Sequence, residues 1–268
     1  MTTLETLLHH FGLTTLPFDR AVPPEGLLRH ASFAEALERL HFAVDSRGPA
    51  LLVAPPGTGK SVLLDALCSA LPTASARVIA TALTSCGPFG LVGQLAVRYG
   101  TPVRRTTAQT AAGLLEELGR SPHTEVLVLD ESHRLPDASL EELRLLGQLE
   151  FDRRAPFVLV LAGQPVLRER LQQPEFDALW QRLVVRTSLG PLTDRESAEY
   201  LERRPRAVGA RAMLFRPGAV DLLFEHSHGV MRRLNHLATG ALLAAARASR
   251  RHVDAADVQA AVFDDEHA

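Results

Sequence analysis

The sequence predicts a three-layer α/β protein, in which helices cover both faces of a five-stranded parallel sheet and a small all-helical domain follows. Two observations predict this architecture. Up to about residue 190, short apolar runs alternate with stretches whose apolar residues recur at helical spacing. After Gly190-Pro191 no run of strand type remains. We therefore expect an α/β core over residues 1–190 and a helical lid domain over residues 191–268.

Each strand candidate is a short apolar run bounded by turn residues. The five candidates are residues 50–54, 77–83, 126–129, 157–162 and 183–189. Helices are predicted over residues 91–99 and 108–118. Another predicted helix carries Leu63, Leu64, Leu67 and Leu71 on one face and ends before Pro72. Ser139 and Glu142 have capping-box spacing, which predicts that Ser139 opens a further helix.

The lid domain carries its own helix signals. Thr193 and Glu196 again have capping-box spacing, and Pro217 suits the first position of a helix. Asp254 suits the cap of a last short helix. Between residues 200 and 252 there are ten arginines, so the lid is expected to be rich in positive charge.

Composition limits the classes of function. The net charge of -2 predicts no strong overall attraction to nucleic acid or to anionic lipid. No apolar stretch approaches the length of a membrane span and the N-terminus lacks a signal-peptide pattern, so we expect a cytoplasmic protein without direct membrane insertion. Cys68 and Cys86 have neither metal-site nor C-x-x-C spacing and are expected to be reduced core thiols.

Lysine occurs at one position only. Of the 29 basic residues counted as Lys and Arg, Lys60 is the single lysine and the rest are arginine. A bias of the genome towards arginine codons would explain the arginines. Lysine is a compact point charge, whereas arginine is a wide planar fork, so a lysine kept at one place suggests that a fork would not fit there.

The segment around Lys60 has the pattern of a phosphate-binding loop. Residues 54–61 read Ala-Pro-Pro-Gly-Thr-Gly-Lys-Ser, against the usual G-x-x-x-x-G-K-[ST], with Ala54 in place of the first glycine. The loop lies between a predicted strand and a predicted helix, as the motif requires. The alternative is a glycine-rich turn without a ligand. The pattern predicts a P-loop NTPase that binds ATP with Mg²⁺ through the loop residues Pro55, Pro56, Gly57, Thr58, Gly59, Lys60 and Ser61.

A second motif follows at the end of the third predicted strand. The apolar run 126–129 is followed directly by Asp130 and Glu131, which places two carboxylates at the carboxyl edge of the sheet. We expect the hydroxyl of Ser61 to hold Mg²⁺ and Asp130 to hold it through water. Glu131 is expected to polarise the attacking water; alternatively it is a solvated acid or a helix cap.

Several further segments carry a resemblance to a known family. They are residues 130–135, 142–146, 161–171, 181–183, 189–192 and 229–235. Together they resemble the AAA+ ATPases of the ExeA/GspA family, which are related to the transposition ATPases TnsC and TniB. The resemblance covers nearly the whole chain from about Leu16 onwards and implies the AAA+ fold with a helical lid.

The resemblance also implies roles for individual residues. Gln164 matches the sensor-1 position that orients the attacking water, with a loop amide as the alternative. Arg232 matches the sensor-2 arginine of the lid, with Arg233 as the competing choice. Arg182 matches the arginine finger that enters the neighbouring subunit's site, with Arg186 as the fallback; for all of these arginines the alternative is a solvated surface charge. The matching segment nearest the N-terminus is Leu16-Pro17-Phe18, and the resemblance implies that it places Phe18 over the adenine. The alternative is that these residues anchor the N-terminus to the core.

An arginine finger acting between subunits implies a homo-oligomer, either a ring or a filament. The kinship with TnsC and TniB favours an ATP-dependent helper of DNA transposition, with duplex DNA and a transposase as partners. The alternative is a GspA-like ATPase for the assembly of a secretion system, and a third is a nucleotide-gated scaffold that barely hydrolyses ATP.

Two further patterns contain histidine. His133 completes a D-E-x-H sequence found in some helicases, but no other helicase motif occurs, so a helicase is rejected. His226 and His228 lack a third ligand at helical spacing and are expected to be surface residues.

Overall fold

The structure is a computed structural model that describes residues 3–19, 26–82, 86–147 and 155–267. The chain divides into two compact units. One is an α/β unit formed by residues 32–189. The other is a helical unit formed by residues 1–31 together with residues 190–268. Each unit has its own hydrophobic core.

The α/β unit contains a parallel five-stranded sheet, as the sequence predicted. Its strands are β1 (Ala50–Val53), β2 (Ala76–Ala82), β3 (Thr124–Asp130), β4 (Val158–Gly163) and β5 (Val185–Ser188). The strand order is β2-β3-β4-β1-β5, and every pairing is parallel. Leu83, the last residue of the predicted second strand, lies outside the described residues.

Helices precede the first strand of this sheet and join its strands. They are α2 (Ala31–Asp45), α3 (Lys60–Ala70), α4 (Pro88–Tyr99), α5 (Thr107–Arg120), α6 (Asp137–Leu146), α7 (Pro165–Leu171) and α8 (Asp177–Arg182). Strands β1 and β4 are buried along their whole length, and β3 is buried except at its two end residues, as expected for a parallel sheet covered on both faces. Strand β5 instead alternates between buried and exposed residues, which suits its position at the edge of the sheet.

The predicted cap at Ser139 is wrong. Helix α6 begins at Asp137, directly after Pro136, whose φ of -58° already suits a helix start. Ser139 therefore lies inside the first turn and is buried. Its hydroxyl donates a hydrogen bond of 2.7 Å to the Cys86 carbonyl, so it joins α6 to the segment before α4.

The helical unit contains α1 (Thr3–Phe11), α9 (Asp194–Ala207), α10 (Pro217–Ser227), α11 (Met231–Arg247) and α12 (Ala255–Glu266). The predicted helix starts in this unit are confirmed. Thr193 and Glu196 form a complete capping box before α9, Pro217 is the first residue of α10, and Asp254 caps α12 with Asp257 as its partner.

The N-terminal segment groups differently from the expected division, which assigned residues 1–190 to the core. Residues 3–19 and 26–31 pack with residues 190–267. Leu7, Phe11 and Phe18 are buried in the same core as residues of α9 and α11. Contacts between residues so far apart in the chain leave no local pattern in the sequence, so the expected division did not include them.

One glycine is required in the helical unit because of a close approach. Gly229 has a φ of +71°, and a Cβ at this position would lie 1.9 Å from the Leu192 carbonyl oxygen. The Leu192 N–H donates to the Gly229 carbonyl at 2.9 Å. This pairing fixes the turn that leads into α11.

Candidate functional site

The loop between β1 and α3 has the backbone of a phosphate-binding loop. Gly57 and Gly59 have φ values of +84° and +97°, a region that glycine adopts at little cost. Gly59 is the N-cap of α3, and Lys60 is its first residue. Thr58 is fully buried, and its hydroxyl donates to the Pro55 carbonyl at 2.8 Å. The loop thus curls over its own backbone and presents the N-terminal end of an eleven-residue helix.

Ala54 fits its position because the chain is still part of the sheet there. Its N–H donates to the Gly163 carbonyl at 2.9 Å, which continues the ladder between β1 and β4. Among the described residues, those other than glycine with positive φ are Arg47, Glu131, His228 and Ser249, so Ala54 has an ordinary backbone. The residue that departs from the loop pattern therefore causes no backbone strain.

Lys60 lies between the two predicted carboxylates. Its ammonium donates to Asp130 Oδ1 and, at 2.8 Å, to Glu131 Oε1. The Lys60 side chain is only 10 % exposed, so both contacts are shielded from bulk water. The structure therefore brings the phosphate loop and the end of β3 together.

Glu131 has an unusual backbone. Its φ of +56° lies in the left-handed region, and it precedes a short 3₁₀ turn, Ser132–Arg134. Its N–H donates to Asp130 Oδ1 at 2.7 Å. Such a conformation costs on the order of 1 kcal/mol for a residue with a side chain, and such conformations cluster at functional sites. The turn directs the chain away from the sheet directly after the second carboxylate.

The charge state of Glu131 depends on Lys60. The hydrogen bond from Lys60 is the main cause that lowers the pKa of the Glu131 carboxyl; partial burial opposes it, and the positive charge of Lys60 adds to it. Glu131 is therefore ionised at neutral pH. Phosphate groups at the loop would compete with both carboxylates for the same ammonium.

Gln164 follows β4 directly, at the same edge of the sheet. Strand β4 pairs with β3. Gln164 is the N-cap of α7, and its backbone N–H points to His133 Nδ1 at 3.4 Å. The position agrees with the predicted one, whereas its contact with an attacking water stays a prediction.

The protein groups offered to Mg²⁺ are the carboxylate of Asp130 and the hydroxyl of Ser61 in the first turn of α3. Both are oxygen donors of the kind that Mg²⁺ prefers. So few protein groups leave most of an octahedral shell to phosphate oxygens and water, so these residues fit a metal ion that arrives with a nucleotide. In the described part of the chain, no cluster of three or more His, Cys, Asp or Glu side chains is arranged as a metal site. His226 and His228 therefore belong to no such cluster there.

The two candidate finger arginines differ in their surroundings. Arg186 on β5 donates to the Trp180 carbonyl at 2.5 Å, and its guanidinium lies 4.2 Å from the centre of the Trp180 ring. Arg182 ends α8 and is exposed. Over the described ranges, Arg182 forms no ion pair. Of the two candidates, Arg182 therefore has the less engaged side chain, and its role as a finger stays a prediction.

The lid arginines lie in the helical unit. Arg232 and Arg233 are both exposed in the first turn of α11, just after the Gly229 turn. Because both side chains are exposed, their exposure does not decide which of the two is the sensor-2 arginine. The assignment of Arg232 to the γ-phosphate stays a prediction.

Phe18 is part of the helical core. Its ring is 8 % exposed and lies 6.1 Å from the Tyr200 ring and 6.0 Å from the Phe215 ring, measured between centroids. Arg204 donates to the Pro17 carbonyl at 2.8 Å, which fastens the same segment to α9. The segment has the place of an N-terminal anchor, and contact of Phe18 with adenine stays a prediction.

Sequence reasoning missed two features of the described residues. One is a cavity of about 620 Å³ in the helical unit, lined by residues that include Leu28, His30 and Glu196. The other is His133, which contacts both Glu131 and Gln164. The D-E-x-H sequence is the local signal for His133, but this pattern is typical of helicases and does not by itself indicate a contact with Glu131 or Gln164.

Comparison with known proteins agrees with this geometry. Residues 44–171 match the family described as AAA domain. The chain is 32 % identical over 265 residues to general secretion pathway protein A of Aeromonas hydrophila. That match covers 95 % of this chain and 47 % of the relative, so the chain spans about half the length of this curated protein. No helix in the described ranges has the length and apolar character needed to cross a membrane.

Solved structures show the same fold at low identity. Cdc6p from Pyrobaculum aerophilum superposes with a TM-score of 0.70 at 21 % identity, over 92 % of this chain and 70 % of that one. The branch migration motor RuvB of Thermotoga maritima, which acts on Holliday junctions, gives 0.58 at 20 % identity, over 90 % and 69 %. Drosophila ORC bound to DNA gives 0.62 at 19 % identity, over 96 % and 65 %. The chain therefore has the α/β P-loop fold of the AAA+ proteins, with a helical C-terminal region.

Proposed function

We propose that this chain binds ATP with Mg²⁺ and hydrolyses it to ADP and phosphate. The observation that carries the proposal is the position of Lys60, which begins α3 in the phosphate loop and contacts both Asp130 and Glu131. This arrangement combines a phosphate-binding group, a metal-binding group and a general base within one site.

The loop supplies the binding energy for the phosphates. The backbone of residues 55–59 curves around the N-terminal end of α3, where N–H groups and the helix dipole attract anions. Lys60 would contact the β- and γ-phosphates, while Ser61 and Asp130 would hold Mg²⁺. When bound, the metal neutralises the charge that develops on the phosphate oxygens.

Hydrolysis would use Glu131 as the base, with Gln164 orienting the water. Lys60 lowers the pKa of Glu131, which makes the carboxylate a weaker base while the two are paired. When phosphates take over the ammonium of Lys60, this cause is removed and the pKa rises towards its ordinary value. Glu131 would therefore become a better base when ATP is bound.

A neighbouring subunit would complete the site. Arg182 is exposed at the end of α8, whereas Arg186 is occupied by Trp180. An arginine that stabilises transition-state charge from a second subunit makes hydrolysis depend on a homo-oligomer, either ring or filament. Arg232 of the lid would contact the γ-phosphate of its own subunit, with Arg233 as the alternative.

Two processes are candidates for the use of this ATPase. The similarity to general secretion pathway protein A extends along 95 % of the chain and favours a role in secretion-system assembly. The exposed arginines of the helical unit favour the other candidate, a DNA-binding helper of transposition with duplex DNA and a transposase as partners. They include Arg211, Arg232, Arg233, Arg247 and Arg251.

The substitution Lys60→Arg should abolish nucleotide binding or turnover. The shielded space between Asp130 and Glu131 accepts a compact ammonium, whereas the planar fork of arginine is wider. We expect affinity for a fluorescent ATP analogue to fall at least about tenfold. The reverse swap at an exposed position, Arg120→Lys, is the control and should bind as the wild type does. Retention of both binding and turnover in Lys60→Arg would refute the assignment.

Glu131→Gln should separate binding from hydrolysis. The amide keeps the shape of the side chain but cannot accept a proton, so turnover should fall by roughly 10² or more while ATP still binds. Steady-state phosphate release measures turnover, and Glu169→Gln, an exposed acid on α7, serves as the control. Equal turnover of Glu131→Gln and the wild type would show that Glu131 is not the base.

Arg182→Ala should lose turnover by about 10³, the effect of an arginine finger. Arg186→Ala should lose much less. Mixing Arg182→Ala with Lys60→Ala should restore part of the activity, because an intact loop from one subunit meets an intact Arg182 from the other. If the mixture gains nothing over its components, the finger does not act between subunits.

Duplex DNA distinguishes the two processes. For a transposition helper, fluorescence anisotropy should detect binding of random-sequence duplex that requires a slowly hydrolysed ATP analogue and weakens with rising salt. Binding with ADP in place of the analogue should be weaker. A complete lack of binding at low salt would remove the DNA role and leave secretion-system assembly as the proposed process.

A further inference from the structure

His133 lies against the backbone at the end of β4. It belongs to the 3₁₀ turn after Glu131, and its side chain is 12 % exposed. A Cβ on Gly163 would come within 3.2 Å of His133 N and 3.3 Å of His133 Nδ1. The lack of a side chain at Gly163 therefore lets the imidazole approach the strand end closely.

The two ring nitrogens of His133 face two different groups. Nδ1 lies 3.4 Å from the backbone nitrogen of Gln164 and accepts its N–H. In a neutral imidazole the proton is then on Nε2, which can donate. Nε2 lies 3.8 Å from Glu131 Oε2. Burial lowers the pKa of His133 and so favours this neutral form, although the charge of Glu131 opposes the shift.

The carboxylate of Glu131 is thus placed between two donors. Its Oε1 accepts from Lys60 at 2.8 Å, and its Oε2 faces His133. The distance to His133 is longer than a hydrogen bond, and the Lys60 contact holds the carboxylate away from the imidazole. If phosphates draw Lys60 away, the carboxylate is free to turn, and a rotation towards Nε2 brings it into hydrogen-bonding distance.

We propose that His133 is a positioning residue for ATP hydrolysis, which holds Glu131 in place when Lys60 leaves it and ties Glu131 to the backbone of Gln164. The inference rests on the proposed ATPase function. His133 contacts neither phosphate nor water in this role. It acts through Glu131, so its removal should lower the turnover rate and leave nucleotide affinity unchanged.

Two substitutions of His133 test the contacts of its two ring nitrogens separately. The side-chain oxygen of His133→Asn can occupy the place of Nδ1 and accept from Gln164, but asparagine is too short to reach Glu131. The amide nitrogen of His133→Gln can occupy the place of Nε2 and donate to Glu131. We expect kcat to fall about tenfold in the asparagine variant and at most about threefold in the glutamine variant, with KM for ATP unchanged in both.

A double variant tests whether His133 acts through Glu131. Adding His133→Asn to Glu131→Gln should lower kcat no further, because the positioned carboxylate is already missing. Binding of a fluorescent ATP analogue shows that each variant is folded.

Three outcomes would overturn the inference. The first is wild-type kcat in His133→Asn, and the second is an equal loss of kcat and nucleotide affinity in both single variants, which indicates a purely structural role. If the wild type hydrolyses ATP and Glu131→Gln does not, either of these results overturns the role of His133 alone. The third is a wild type without turnover, which would overturn this inference together with the proposed function.

Discussion

The contact of one ammonium with two carboxylates organises the α/β unit. Lys60 begins α3, and Asp130 and Glu131 end β3, so the contact joins the first strand–helix connection to the carboxyl edge of the sheet. A charge that is 90 % removed from water needs a partner, and here it has two. The same contact lowers the pKa of the Glu131 carboxyl. In the proposed reaction it would therefore restrain Glu131 as a base until phosphates compete for the lysine.

The elements around this contact are arranged for it. Strand β4 lies between β1 and β3, so Gln164 follows the strand that separates the loop from the carboxylates. Ala54 continues the ladder with Gly163, and Gly163 in turn leaves room for His133. Gly163 thus has two functions at this edge: its carbonyl pairs with Ala54, and its lack of a side chain makes room for His133.

Much of this could be predicted from the sequence, because the signals are local. The five strands were located as apolar runs, and the phosphate loop and the Asp130-Glu131 pair were recognised from patterns that lie next to each other in the chain. The cap at Ser139 was predicted wrongly, since spacing alone does not show that Pro136 starts the helix earlier. Strand order and the packing of Phe18 depend on contacts between distant segments, which no local pattern encodes. The role of His133 depends on the distances of its two ring nitrogens, and only the folded chain supplies them.

The two hydrophobic cores become complete at different stages of synthesis. Every residue of the α/β core lies between residues 51 and 183, so this core can be completed as soon as that segment has emerged. The helical core combines Leu7, Phe11 and Phe18 with residues from 192 to 262. Its N-terminal part must therefore wait with apolar side chains unburied while nearly the entire chain is made, and closing so long a loop is entropically costly. The ribosome therefore delivers the parallel sheet before the C-terminal partners of residues 7–18, which makes the helical unit the more dependent of the two on protection from aggregation during synthesis.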